Sequence, residues 1–176
     1  NHIRIWVDYY GNIPELNETN NMTSPDIDLL IHGSAIVPVY PYEFAIVPDS
    51  AITFKASTYN PIASTRNYRF EIDTSSKFNS PARLYQIVNS GGGVVEADAS
   101  DWLLASSSAS NPLIFTDSTV YFWRVSPDST TYYWFESSFQ YINYLTGWGQ
   151  AHFDQFEGNY HETLNYDTIN KGWTWS

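Results

Sequence analysis

The sequence predicts an all-β fold, and three observations support this prediction. The chain has seven tryptophans, 14 tyrosines and ten phenylalanines but a single methionine, and aromatic residues favour pleated, half-buried surfaces. Short segments of alternating apolar and polar residues are separated by stretches rich in serine, threonine and asparagine, which is typical of strands joined by turns. No long amphipathic helical pattern is present. Hydrophobic residues make up 43% of the chain, which is enough for a packed core.

The central segment, residues 37–142, carries the clearest strand patterns. In "AITFKASTYNP" the face of Phe54 and Ala56 is predicted to point inward, and in "RNYRFEIDTS" the face of Phe70 and Ile72 is predicted to do so. Counting the later segments, six or seven short strands occupy this region, the number that a two-sheet sandwich needs. One longer insertion interrupts the series, and its "DASDWLLAS" segment predicts a short helix.

Three stretches of the central segment support a family resemblance. They are "YRFEIDTSSKFNS" at 68–80, "TVYFWRV" at 119–125 and "WFESSF" at 134–139. Together they resemble a fibronectin type III-like domain of the kind attached to large exported proteins of the Bacteroidetes type. The resemblance implies an immunoglobulin-like β-sandwich over residues 35–142, with extra flanking strands. It also implies an extracellular or cell-surface location.

The N-terminal segment resembles a different module. A strand-like run at residues 3–7 precedes "DYYGNIPELNETNN", which is similar to the end of the bacterial cell-adhesion-related domain known as CARDB. The matching positions are Asp8, Asn12, Ile13, Glu15, Asn17, Glu18, Asn20 and Asn21. The resemblance implies that residues 1–34 are the C-terminal strands of such a domain.

The C-terminal segment, residues 143–176, is expected to begin a further β module. "QAHFDQF", "ETLNYD" and "KGWTWS" predict three successive strands, but about 30 residues are too few for a core of their own. The junction "SSFQYI" followed by "GWGQAHFDQF" is similar to one in large surface proteins of the Bacteroidetes type. The chain begins and ends within such patterns, so we expect it to be a fragment of a longer protein.

Charge and cysteine content argue against several classes of function. The formal net charge is −11, with eight Lys and Arg residues against 19 Asp and Glu residues, so nucleic acids and anionic membrane surfaces are not expected as partners. No apolar run approaches the roughly 20 residues that a membrane helix requires. The chain has no cysteine, which removes disulfides, thiolate zinc sites and cysteine nucleophiles.

The sequence contains candidates for two kinds of cation site. In an extended strand His152 and Asp154 would share a face, and a turn would bring His161 near them, which makes these three residues candidate metal ligands. The alternative is that the same strand is architectural and that its polar residues face solvent. Oxygen-rich turns at 26–30, 96–101 and 126–130 are candidates for Ca²⁺, although none has the spacing of an EF-hand loop.

Carbohydrate binding and hydrolysis are the two alternative functions. Trp102, Tyr132 and Trp134 would form a sugar-stacking platform if their rings were exposed in a row, whereas buried rings would belong to the core. Glu71 and Asp73 share a strand face, as paired glycosidase acids must share a cleft, but sandwich strands often expose such acids to solvent.

The function expected from the sequence is that of a non-catalytic structural or adhesion module without a cofactor. Such a module would space or present the neighbouring domains of the same polypeptide, its expected partners, and extracellular polysaccharide or protein would be further partners. Related surface proteins pair such modules with a gingipain-type cysteine peptidase domain elsewhere in the chain, an activity that this cysteine-free segment would not carry.

Overall fold

The structure is a computed structural model that describes residues 2–3, 10, 13–14, 27–28, 35–149, 152–156 and 161–175. The chain divides into two compact units, residues 1–33 and residues 34–176. In the first unit, strand β1 (His2–Ile3) pairs antiparallel with β2 (Ile27–Asp28). Most positions of the CARDB-like match lie outside the described residues. Ile13, which is described, is exposed.

The second unit contains a three-stranded sheet, a seven-stranded sheet and a separate hairpin. The three-stranded sheet has the order β3 (Ile36–Tyr40), β5 (Phe54–Thr58), β8 (Val94–Ala97). The seven-stranded sheet has the order β12 (Gly147–Trp148), β4 (Ala45–Val47), β11 (Phe135–Tyr141), β10 (Thr119–Pro127), β6 (Arg66–Asp73), β7 (Leu84–Ser90), β9 (Leu103–Leu104). The hairpin pairs β13 (Leu164–Asp167) with β14 (Gly172–Trp175).

The two larger sheets enclose one aromatic core in a sandwich-like arrangement. Phe54 of the three-stranded sheet packs edge-on against Trp123 and Phe139 of the seven-stranded sheet, with ring centroids 5.2 and 5.9 Å apart. Such edge-to-face packing is a preferred geometry for aromatic rings. Phe54, Trp123 and Phe139 are each at most 1% exposed. The all-β prediction and the inward faces assigned to β5 and β6 are therefore confirmed.

The first strand of the sandwich is divided between the two sheets. Residues of β3 pair antiparallel with β5, and the register shifts between Pro38 and Tyr40. The chain then crosses to the other sheet, where β4 pairs in parallel with β11, the last long strand. Proline cannot donate to a ladder and is tolerated at edges and irregularities, so Pro38 suits this edge strand.

Two local predictions are wrong. The "DASDWLLAS" segment forms no helix, because the Asp98 carboxylate accepts hydrogen bonds from the Ser100 backbone and hydroxyl and fixes a turn. Leu103 and Leu104 then form β9. The "QAHFDQF" segment is not a strand in its described part, where Phe153–Phe156 is a 3₁₀ helix.

The C-terminal hairpin packs on the outer face of the seven-stranded sheet. Its turn presents Lys171, whose ammonium donates to the Ser76 carbonyl at 2.9 Å and to the Glu136 carboxylate. Lys171 is mostly enclosed, with 25% of its side chain exposed. The hairpin thus stands over the face on which the charged side chains of β6, β10 and β11 lie.

Candidate functional site

The outer face of the seven-stranded sheet is organised around a buried carboxylate. Glu71 of β6 is 3% exposed. One of its oxygens accepts from Arg69 Nε at 2.8 Å, and the other accepts from Nε and Nη2 of Arg124 at 2.9 and 2.6 Å. Such charge-assisted bonds satisfy a carboxylate that burial would otherwise destabilise.

Aromatic rings cover both arginines. The Arg124 guanidinium lies 4.1 Å from the ring centroids of Phe78 and Trp134, and Arg69 lies 3.9 Å from the Tyr85 ring. Tyr132 stacks on Trp134 with centroids 4.8 Å apart. Cation–π contacts of this kind strengthen as water is excluded.

The three residues assigned to a sugar platform do not form a row. Trp102 is fully buried, packs against Phe54 and donates its indole N–H to the Asp98 carbonyl at 2.7 Å. No sugar can stack on it, so the prediction that Trp102 belongs to a sugar-stacking platform was wrong. Tyr132 and Trp134 are half-buried, stack on each other and contact the arginines. Burial, together with the hydrogen bond to Asp128, raises the pKa of Tyr132.

The two acids considered for glycosidase chemistry both make hydrogen bonds within the fold. Asp73 is 2% exposed and accepts from the Ser75 and Ser80 backbones and from the Ser80 hydroxyl at 2.5 Å. These bonds fix the loop between β6 and β7. The expectation that Glu71 and Asp73 face solvent was wrong, because arginines, aromatic rings and this loop cover them.

A cavity of about 480 Å³ lies on the same face, beneath the C-terminal hairpin. Its lining includes aromatic rings, hydroxyls, two glutamates and one lysine. The residues are Glu43, Phe44, Ser76, Phe122, Glu136, Ser137, Ser138, His152, Gln155, Tyr166, Thr168 and Lys171.

One pair in this cavity has the elements of a nucleophile and a base. The Ser138 hydroxyl lies 2.9 Å from His152 Nε2, and the imidazole packs against the rings of Phe122 and Phe44 at 4.9 and 5.8 Å. An acyl-transfer site also needs donors for an oxyanion. The nearby Phe44 N–H already donates to the Ser138 carbonyl at 2.8 Å. These contacts are therefore those of an imidazole that packs against two aromatic rings.

The residues assigned to a metal site have separate environments. His161 Nε2 lies 3.2 Å from the Phe156 carbonyl, and its ring packs on Trp173, whereas His152 contacts Ser138. The Asp154 side chain lies outside the described residues. Among residues that the structure describes, no group of three or more His, Asp or Glu side chains could hold a metal ion.

In the oxygen-rich turns considered for Ca²⁺, three of the four acids whose side chains the structure describes have internal partners, and Asp101 is the exception. Asp98 accepts from Ser100, and these bonds hold the pKa of Asp98 below its ordinary value. Glu96 pairs with Lys55 at 2.8 Å, and Asp128 accepts from the Tyr132 hydroxyl. In the first turn, 26–30, only Ile27 and Asp28 are described.

Sequence reasoning missed the residues that organise the outer face. Arg69 and Glu71 stand two residues apart on one strand, so they share a face, and this spacing was a usable signal. No comparable local signal pointed to Arg124, Lys171 and Ser138, because the register of β10 and β11 and the position of the hairpin bring them to the site.

Comparison with protein-family models, with curated proteins and with solved structures finds no match to this chain. Within the part of the chain that the structure describes, no helix has the length and apolar character needed to cross a membrane.

Proposed function

We propose that residues 35–142 form an immunoglobulin-like module of the fibronectin type III kind, and that this module is a structural or adhesion element of an exported or cell-surface bacterial protein. It spaces or presents neighbouring domains of the same polypeptide. Residues 1–34 belong to a preceding CARDB-like domain, and residues 143–176 begin a further β module.

The strand order supports this proposal. A three-stranded sheet of the first, second and fifth long strands (β3, β5, β8) faces a sheet in which β11, β10, β6 and β7 are neighbours. Immunoglobulin-like sandwiches divide their strands between two antiparallel sheets in this manner. The division of the first strand between the two sheets, with β4 parallel to β11, is a further feature on which we base the proposal.

The observation that most directly supports a structural role is the parallel pairing of β4 with β11. Tension that pulls residues 35 and 142 apart loads this pair along its length, so that its hydrogen bonds break together. Such a connection would help a module placed between two domains to resist being pulled apart. The commitment of Glu71 and Asp73 to internal bonds further favours a structural role over a hydrolytic one.

Single-molecule pulling tests the structural role. Cysteine handles at residues 35 and 142 are practical because the chain has no native cysteine. We expect one cooperative unfolding event for the parent, and a clearly lower unfolding force for Ile46→Pro, which disrupts the β4–β11 ladder. Tyr42→Ala, an exposed change outside both strands, is the control. An equally low force for both variants would contradict the proposal.

Labelling of intact cells tests the location. An antibody raised against the chain should stain unbroken cells of the producing bacterium, or detect the protein in the culture medium. Signal that is released only by lysis would reject the extracellular assignment. A panel of ester, glycoside and peptide substrates should show no turnover that Ser138→Ala or Glu71→Gln removes.

A further inference from the structure

We propose that the cavity beneath the C-terminal hairpin is a binding site for a neutral saccharide. This site adds a ligand to the spacing role and lies away from Trp102, the residue that was expected to carry sugar stacking. Three features of the lining support the proposal, namely its rings, the ion pair that already occupies Lys171, and its uncommitted hydroxyls.

Aromatic side chains form part of the cavity wall. Phe44, Phe122 and Tyr166 line the cavity, and Phe122 and Phe44 are already held in place by contact with the His152 ring. One face of a pyranose ring presents mainly C–H groups, which pack well on an aromatic face. The cavity volume of about 480 Å³ lies within the roughly 300–1,000 Å³ of small-molecule sites.

The charges of the lining disfavour an anionic ligand. Lys171 is the one Lys or Arg side chain in the described lining, and its ammonium is bound to Glu136 and to the Ser76 carbonyl. Glu136 also lies 3.7 Å from Arg124 Nη1. A phosphate or carboxylate would have to displace this ion pair, whereas an uncharged ligand leaves it in place.

Neutral hydrogen-bonding groups remain for a ligand. In the described part of the chain, the hydroxyls of Ser76 and Thr168 make no hydrogen bond to protein, although both residues line the cavity. The enclosed side-chain oxygen of Gln155 likewise accepts no hydrogen bond, and its amide can turn about a broad terminal torsion. Hydroxyls of a sugar can donate to and accept from such groups without a change in charge.

Titration of the whole chain with sugars tests the site. Glucose, galactose, mannose, N-acetylglucosamine and their disaccharides are the neutral probes, and glucuronate and glucosamine are the charged ones. Binding is followed by calorimetry and by amide chemical shifts. We expect at least one neutral probe to bind and to shift amides of β10, β11 and the hairpin, and we expect glucuronate, which would have to displace the Lys171–Glu136 pair, to bind more weakly.

Two variants and one control locate the site. Thr168→Val removes one hydroxyl from an exposed turn at nearly constant shape and should weaken binding about three- to tenfold, the effect of one hydrogen bond. Thr174→Val, on the same hairpin but outside the lining, should not change affinity. Phe122→Leu should weaken binding through loss of the flat ring, provided that its circular dichroism spectrum matches the parent.

Three results would overturn the proposal. One is the failure of every neutral sugar to bind at concentrations up to about 10 mM, beyond the millimolar end of the affinity scale. Another is equal loss of affinity in Thr168→Val and Thr174→Val. The third is tighter binding of glucuronate or glucosamine than of any neutral probe. None of these results bears on the pulling experiment, which tests the structural role separately.

Discussion

Arg124 donates two hydrogen bonds to one carboxylate oxygen of Glu71, from Nε at 2.9 Å and from Nη2 at 2.6 Å. The two residues face each other across neighbouring strands, 53 positions apart in sequence. Arg69 completes the cluster from the same strand as Glu71. This cross-strand pairing places two positive charges and one negative charge under aromatic rings.

Glu71→Gln should therefore destabilise the sandwich strongly. The change removes the negative charge but leaves two partly enclosed guanidinium groups, so we expect a loss of about 2–4 kcal/mol in the free energy of unfolding. Glu96→Gln is the matched control, because its ion pair with Lys55 is largely exposed and should contribute less than about 1 kcal/mol. Urea denaturation measures both, and similar losses would contradict the role given to the cluster.

Lys171→Met should release the hairpin from the sheet. It removes the bonds to the Ser76 carbonyl and to Glu136. Amides of β13 and β14 should then exchange with solvent several-fold to about tenfold faster, whereas those of β6 and β10 should keep their rates. Hydrogen exchange followed by mass spectrometry measures this. Lys77→Met, an exposed lysine of the neighbouring loop, should leave both sets unchanged, and uniform acceleration by Lys171→Met would refute local docking.

Two adjacent glycines should respond differently to alanine. A Cβ on Gly92 would lie 2.3 Å from the Asn60 carbonyl oxygen and 2.5 Å from the Ala63 nitrogen, and backbone atoms cannot move aside cheaply. Gly92→Ala should lose about 1–3 kcal/mol of stability in thermal or urea unfolding. A Cβ on Gly91 would have its nearest neighbour at 3.6 Å, so Gly91→Ala should stay within about 0.5 kcal/mol. Equal effects would show that this turn packs differently.

The Asp98 turn should make a small, pH-dependent contribution to stability. The Ser100 hydroxyl and backbone N–H hold the pKa of Asp98 below its ordinary value of 3.8, so the folded state favours the carboxylate. The contribution is present above the unfolded-state pKa and is lost as the pH falls through the lower folded-state pKa. Because Asp98 is exposed, its size should not exceed about 0.5 kcal/mol.

Unfolding of Asp98→Asn at several pH values checks this contribution. The parent should be slightly more stable than the variant at pH 7, and the difference should vanish in acid. Asp101→Asn, which removes a carboxylate that makes no hydrogen bond in the described structure, is the comparison. A parent–Asp98→Asn difference that grows as the pH falls would contradict the sign of the pKa shift.

The sequence was sufficient for the fold class and for the inward face of individual strands. Alternation of side chains is a local property, so the burial of Phe54, Phe70 and Ile72 followed from spacing alone. The same rule failed for "QAHFDQF", where a strand was expected and the described part is a 3₁₀ helix. Periodicity in a short run is weak, and the surroundings of the run decide its backbone.

Only the tertiary structure decided what lies on the outer face. Strand spacing placed Glu71 and Asp73 on the face opposite the core, but it could not show that Arg124 of a neighbouring strand, a loop and a hairpin would cover that face. Trp102 was misassigned for the same reason, since one ring's burial depends on which distant strands pack over it. The sequence by itself thus determined alternation, composition and net charge. The pairing of residues 53 positions apart, and the cavity beneath the C-terminal hairpin, arose from long-range packing that no local pattern encodes.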